Sequence, residues 1–247
     1  MLTDKHTTTD TFYGGRLVVH QDRHGYRFSI DAVLLGHEVT FRQADRRVVD
    51  LGTGVGILPL LLAYRHGDLS ICGVEIQPAL ARKARENVQA NGLADRIQIL
   101  EADLLSINPR LLGYAADVVV SNPPYRQVNS GRINPNRERA VARHEIAVTL
   151  EGLVRAVRRV LRTGGSFWSI YPAQRLPELI GTLQRFNIEP KFMRMVHTRE
   201  NSEAKMVLMA AVKAAAGGLV VAPPLFIYRD KTHYSEEVQR MLSPAHA

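Results

Sequence analysis

Two short stretches of this 247-residue chain carry residue types that could do chemistry. In the first, Val48-Val49-Asp50-Leu51 runs straight into Gly52-Thr53-Gly54-Val55-Gly56. Glycines belong where a chain turns tightly out of a strand and lets a ligand approach with no Cβ in the way. The loop lacks a Gly-Lys-Ser/Thr ending, which excludes a P-loop, and its G-x-G-x-G spacing with Ile57 next disfavours the dinucleotide pattern. Acids close two further apolar runs. Glu75 is placed to accept both hydrogen bonds from a ribose diol, and Asp103 to accept one from an exocyclic amine of adenine. Singly, each acid is an ordinary helix cap or loop charge. Together, on one side of an open sheet, they favour a nucleoside-type cofactor. The second stretch, Asn122-Pro123-Pro124-Tyr125, directly follows Val118 to Ser121. Two prolines stop a strand and fix an extended turn, but that role does not explain an amide and a large aromatic flanking the rigid pair.

These residues need a scaffold, and the spacing of apolar residues predicts one. Short apolar runs alternate with helical patterns from Arg46 onward, the signature of a parallel α/β sheet. Seven strands are expected: Arg47 to Leu51, Ser70 to Glu75, Arg96 to Glu101, Ala116 to Ser121, Ser166 to Tyr171, Glu189 to Thr198 and Ala204 to Val212. Helices are expected over Gly56 to His66, Pro78 to Asn91, Ala147 to Leu161 and Ala173 to Phe186. Pro78 in a first turn and Asn91-Gly92 as a stop mark the second of them. In the third, Arg155, Arg158, Arg159 and Arg162 form a row that either touches a phosphate backbone or is a solvated face.

Residues 1–45 read as a lead-in element, with turns at Gly14-Gly15 and His24-Gly25 and a helix from Ile30 to Val39 started by Ser29 or Asp31. Residues 46–216 form the main domain, and residues 217–247 a tail with an apolar patch and a helix near Ser235 to Leu242. From Arg126 to Arg143 there is no hydrophobic period and there are several arginines; a loop of that length inside a domain is functional or disordered.

Lys and Arg number 32 against 24 Asp and Glu, a formal net charge of +8. A basic surplus attracts polyanions such as nucleic acid, yet charge alone leaves such a partner and none evenly matched. No apolar run reaches the length of a membrane span, the first ten residues are polar, and one cysteine, Cys72, permits neither an internal disulfide nor a zinc framework. The chain reads as cytoplasmic, with no metal. Trp168 and Tyr171 read as core and Cys72 as inert, while Arg194 and Arg199 are indistinguishable from ordinary surface charge.

The combination of glycine loop, spaced acids and Asn122-Pro123-Pro124-Tyr125 resembles the class I S-adenosylmethionine-dependent methyltransferases that act on an amino group conjugated to a π system. The resemblance implies a single Rossmann-like α/β domain with a seven-stranded, mostly parallel sheet and helices on both faces. It implies cofactor contacts from Asp50, Gly52, Thr53, Gly54, Gly56, Glu75, Ile76, Asp103, Leu104 and Asn122, and a reaction centre formed by Asn122, Pro123, Pro124 and Tyr125. An adenine amine is a poor nucleophile because its lone pair is delocalised. With its two N–H bonds accepted by the Asn122 side-chain oxygen and the Pro123 carbonyl, the lone pair is aimed at the methyl group and no strong base is required. Tyr125 would stack on a flipped or unpaired base.

The same motif serves glutamine methylation on release factors and base methylation in DNA. Only about 45 residues precede the glycine loop, too few for the helical domain of the first class, and no separate target-recognition region marks the second. Gly14-Gly15-Arg16-Leu17, Gly25-Tyr26-Arg27-Phe28-Ser29-Ile30-Asp31-Ala32, Arg143-His144-Glu145, Ala204-Lys205-Met206 and Pro223-Pro224-Leu225 are similar to the tRNA1(Val) adenine-N6-methyltransferase family. That family modifies the adenine beside the anticodon. The similarity implies that Tyr26, Phe28 and Asp31 close over the methionine end of the cofactor, and that Arg126, Arg132, Arg137, Arg139 and Arg143 meet RNA. An RNA-binding module with a lost active site is the non-enzymatic alternative; the intact set of motif residues argues against it.

Overall fold

The computed structural model describes residues 7–22, 29–123 and 149–243. Its centre is a sheet that is mostly parallel. β3 (Arg47–Leu51), β4 (Ser70–Glu75), β5 (Ile97–Glu101), β6 (Ala116–Ser121) and β7 (Leu161–Pro172) run parallel, and β9 (Ala204–Lys213) lies antiparallel between β7 and β8 (Ile188–His197). The spatial order from one edge is β5-β4-β3-β6-β7-β9-β8. Two more strands of two residues each, β10 (Val220–Val221) and β11 (Leu225–Phe226), pair with β8, so the sheet has nine strands among the described residues where the apolar pattern predicts seven. A separate hairpin, β1 (Thr7–Phe12) with β2 (Leu17–Asp22), turns at Gly14-Gly15 as expected.

Side chains on successive strand residues point to opposite faces, and both faces here are covered, which is why the strands read as unbroken apolar runs. Val48, Ile71, Val118 and Val120 join one core with α1 (Ile30–Glu38), α2 (Ile57–Arg65), α3 (Pro78–Ala90) and the β1–β2 hairpin. Val49, Leu51, Val74, Val119 and Phe167 join the other, under α5 (Leu150–Val160) and α6 (Leu176–Arg185). Between them in sequence, α4 (Pro109–Leu112) is a single turn capped by Asn108. α2 is apolar all round because it is enclosed by α1 and the sheet. At Gly36 of α1 an added Cβ would sit 3.3 Å from the Leu58 side chain of α2, so the two helices cross closely there. The last helix, α7 (Glu236–Leu242), buries Val238 and Met241 in the first core.

Chain direction fixes where a ligand can sit. From β3 the chain winds to β4 and β5 on one side, then crosses back to β6 on the other. That reversal opens a crevice at the carboxyl ends of β3 and β6.

Candidate functional site

At that crevice the turn out of β3 is made by three glycines with positive φ, Gly52 at 79°, Gly54 at 58° and Gly56 at 86°. These angles cost a side-chain-bearing residue strain that glycine avoids. The Gly52 and Thr53 N–H groups donate to the Val74 carbonyl at 2.9 and 3.0 Å, and the Ser121 hydroxyl donates to the Leu51 carbonyl at 2.7 Å. A Cβ at Gly52 would meet nothing within 4 Å, so this side of the turn is open to an approaching molecule. A Cβ at Gly56 would stand 3.3 Å from Ala84, where α3 closes on the loop.

Two buried acids flank the turn, with different partners. Glu75 accepts the Gly54 N–H on Oε2 and the Gln77 N–H on Oε1, both at 2.9 Å. Asp50 is 2% exposed, with no basic side chain in ion-pairing range among the described residues. Burial pushes its carboxyl up to about 7; the nearby Glu75 carboxylate adds to the shift and the Thr53 hydroxyl opposes it. A small cavity is lined by Ala32, Asp50, Gly52, Thr53, Ile57, Leu58 and Asn122.

Of the remaining expected residues, Asn122 lines this cavity, and Asp31, Glu75, Ile76, Asp103 and Leu104 do not. Asp103, just past β5, accepts the Leu105 N–H on Oδ1 at 2.8 Å, and its loop is pinned by Arg159 of α5, which donates to the carbonyls of Leu105 and Ile107. Ile76 is exposed and Leu104 half-buried. Asn122 and Pro123 are half-buried at the end of β6. Ser29 stands at the start of α1, but its hydroxyl does not cap the helix; it donates to Asp31 Oδ2 at 2.9 Å. Burial raises the Asp31 carboxyl, and that hydroxyl partly offsets the effect. Tyr26, Phe28, Pro124, Tyr125, Arg126, Arg132, Arg137, Arg139, Arg143 and His144 lie outside the described residues.

Several cations turn out to hold the fold. Arg155 pairs with Glu151 at 2.8 Å and Arg159 binds carbonyls, while Arg162, expected on the same helix face, lies in β7 because α5 ends at Val160, and binds Asp45 and Asp117; three of the four arginines of the expected row are thus spent within the chain. Arg194 is not ordinary surface charge: its side chain is only 14% exposed, and it bridges Glu38 of α1 and Glu237 of α7 at 3.2 and 2.8 Å. Trp168 and Tyr171 are buried in the core, and burial pushes the Cys72 thiol up to about 11, as befits an inert position. Among the described residues no cluster of His, Cys, Asp or Glu could hold a metal, and no helix is long and apolar enough to cross a membrane. Sequence reasoning missed Ser121 and Asn87, which brace the loop from β6 and α3; a polar residue within an apolar helical stripe was the available signal for the latter.

A family model described as "Methyltransferase small domain" matches residues 28–192, well over half of the chain. The chain belongs to that methyltransferase family. Among curated relatives, a tRNA1(Val) (adenine(37)-N6)-methyltransferase of Porphyromonas gingivalis is 30% identical over 96% of this chain and 94% of its own length. The Aeromonas hydrophila protein of the same name is 31% identical over 77% of this chain and 78% of its own. Among solved structures, a predicted O-methyltransferase from Agrobacterium tumefaciens aligns with a TM-score of 0.68 at 22% identity, covering 85% of this methyltransferase and 94% of that chain. The T. thermophilus 16S rRNA N2 G1207 methyltransferase, solved with AdoMet and guanosine, aligns at 0.56 and 22% identity, covering 84% and 50%. The fold of this methyltransferase is therefore the class I methyltransferase fold, as the motifs imply.

Proposed function

We propose that the chain is an S-adenosylmethionine-dependent methyltransferase that methylates N6 of an adenine in tRNA, beside the anticodon. The observation that carries this reading is that Asp50, the glycine turn and Asn122 line one cavity at the carboxyl ends of adjacent strands. A buried carboxyl with no cation beside it fits an incoming ammonium, and the open side of Gly52 fits close approach of a ligand. When bound, S-adenosylmethionine supplies that ammonium and an electrophilic sulfonium methyl group.

In this reading Asp50, Gly52, Thr53, Gly54 and Gly56 hold the methionine end, with Asp31, Tyr26 and Phe28 closing over it. Glu75, already fixed by two backbone N–H donors, accepts from the ribose hydroxyls on its remaining lone pairs. Asp103 and Leu104 with Ile76 receive the adenine ring. The Asn122 side-chain oxygen and the Pro123 carbonyl accept the two N–H bonds of the target amine and so orient its lone pair; Pro124 keeps that pair of acceptors rigid and Tyr125 stacks on the base. The work is positioning, and the proton leaves from an already acidic aminium, so Asn122 needs no base beside it. The arginines between 126 and 143 are assigned to RNA. Support comes from relatives that carry this activity in their names and match nearly the whole chain, and from the basic surplus.

The test is incubation with methyl-labelled S-adenosylmethionine and unmodified total tRNA, followed by nucleoside mass spectrometry. N6-methyladenosine in tRNA is expected, and Asn122→Ala at saturating substrates should lower turnover by more than about hundredfold. Label in a release-factor glutamine or in DNA instead, or near-wild-type turnover of the variant, overturns the proposal.

A further inference from the structure

Asn87 is completely buried on α3, an amide in a stripe otherwise made of Ala81, Ala84 and Val88. Burying an amide is tolerable only when its donors and acceptor are met, and here all are. Oδ1 accepts the His20 N–H at 2.8 Å, and Nδ2 donates to the His20 carbonyl and to the Val55 carbonyl, both at 2.9 Å. One turn further on, Asn91 treats Val18 in the same way, accepting its N–H at 2.8 Å and donating to its carbonyl at 2.7 Å. The two amides stand in for a neighbouring strand along one edge of β2. They differ in one contact: Asn91 gives its other donor to the Asn87 carbonyl at 2.7 Å, whereas Asn87 reaches the glycine turn.

We infer that Asn87 is a positioning residue for methyl-donor binding, acting by tying the Val55 carbonyl to β2. Three consecutive residues of the turn are then held: the Gly54 N–H by Glu75, the Val55 carbonyl by Asn87, and the Gly56 N–H by the Thr53 carbonyl at 3.0 Å. Held so, the turn keeps the shape in which Asp50, Gly52 and Thr53 line one cavity with Asn122. Released at Val55, it must be ordered by the ligand, and that ordering is subtracted from affinity while the bound complex reacts as before. The β1–β2 hairpin thereby becomes part of the site, because His20 is the far end of the tie.

The inference rests on the methyl-donor reading above, and Asn91 supplies the matched control. Asn87→Ala and Asn91→Ala both detach β2 from α3, so both lower the melting temperature of the full chain. S-adenosylmethionine titrated calorimetrically into each, at a temperature where circular dichroism shows both folded, should bind Asn87→Ala about tenfold more weakly and Asn91→Ala as it binds the wild type. Turnover of Asn87→Ala at saturating donor should stay within about twofold of wild type. Should Asn87→Ala fail to fold, Asn87→Ser, whose single short hydroxyl cannot serve His20 and Val55 together, carries the same expectation. Unchanged affinity in the Asn87 variant, or equal weakening in both positions, overturns the inference. Failure of the wild-type chain to bind overturns the methyl-donor reading, and this inference with it.

Discussion

At the amino ends of β3, β6 and β7, Asp45, Asp117 and Arg162 form a closed cluster, whereas at the carboxyl end of β3 Asp50 is buried with no cation beside it. Arg162 bridges Asp45 at 3.0 Å and Asp117 at 2.5 Å. The other Asp117 oxygen accepts the N–H groups of Arg46 and Arg47, and Asp45 accepts from the Arg42 backbone and side chain. Partial burial of Asp117 works against ionisation, yet the Arg46 and Arg47 donors and the Arg162 guanidinium hold its carboxyl below the ordinary range. The same strands thus carry a neutralised end and an uncompensated end some five residues apart, about 16 Å of strand. A charge that serves only the fold is paired within the fold. One left unpaired at the mouth of a crevice fits the role proposed for Asp50, meeting the ammonium of a ligand.

Removing the unpaired charge is the sharpest way to break this contrast. Asp50→Asn should weaken S-adenosylmethionine binding by more than about hundredfold, a loss typical of deleting one partner of a buried charge pair. It should also raise the melting temperature of the ligand-free chain at pH 8. The sign follows from the direction of the shift: the folded carboxyl titrates near 7, above its unfolded value of 3.8, so ionising it costs folding free energy. That cost is absent below about pH 4, grows to pH 7 and is complete above it. A variant less stable than wild type at pH 8 would refute the unpaired state.

The pH dependence of binding is the next test in size. In the proposed role Asp50 meets the ligand's ammonium in its ionised form, so affinity should fall about tenfold for each unit below pH 7. Calorimetry between pH 5.5 and 8.5 reads this directly, and a flat profile contradicts it. Smallest is the effect at the other end. Arg162 is partly exposed, which screens its ion pairs, so Arg162→Ala should cost about 1–2 kcal/mol, or roughly 4 °C in melting temperature for a chain of this size. Its affinity for S-adenosylmethionine should be unchanged. Any marked loss of binding there would dissolve the division between the two ends.

How much of this was readable beforehand depended on how local the signal was. β3, β4 and β6 fall on their expected bounds because each is an apolar run buried on both faces, and Asp50 and Glu75 stand out as acids at the ends of such runs. β7 begins at Leu161, five residues earlier than expected, because Arg162-Thr163-Gly164-Gly165 reads as a loop. Gly165 is there for close packing: a Cβ would lie 2.8 Å from the Asp117 carbonyl. β10 and β11 are too short to show any period. Asn87 is marked locally as a polar residue in the apolar stripe of α3, but what it braces is not legible, because its partners Val55 and His20 lie 32 and 67 residues away.

The Glu38–Arg194–Glu237 bridge joins parts of the chain that are far apart in sequence. α1 presents Ala32 to the cavity, and its outer end is tied through Arg194 of β8 to α7. Val238 and Met241 of α7 enter the same core as α1. One wall of the cavity is therefore braced by a contact between residues 156 positions apart, so a change at Arg194 or Glu237, neither of which lines the cavity, can alter its shape by loosening α1.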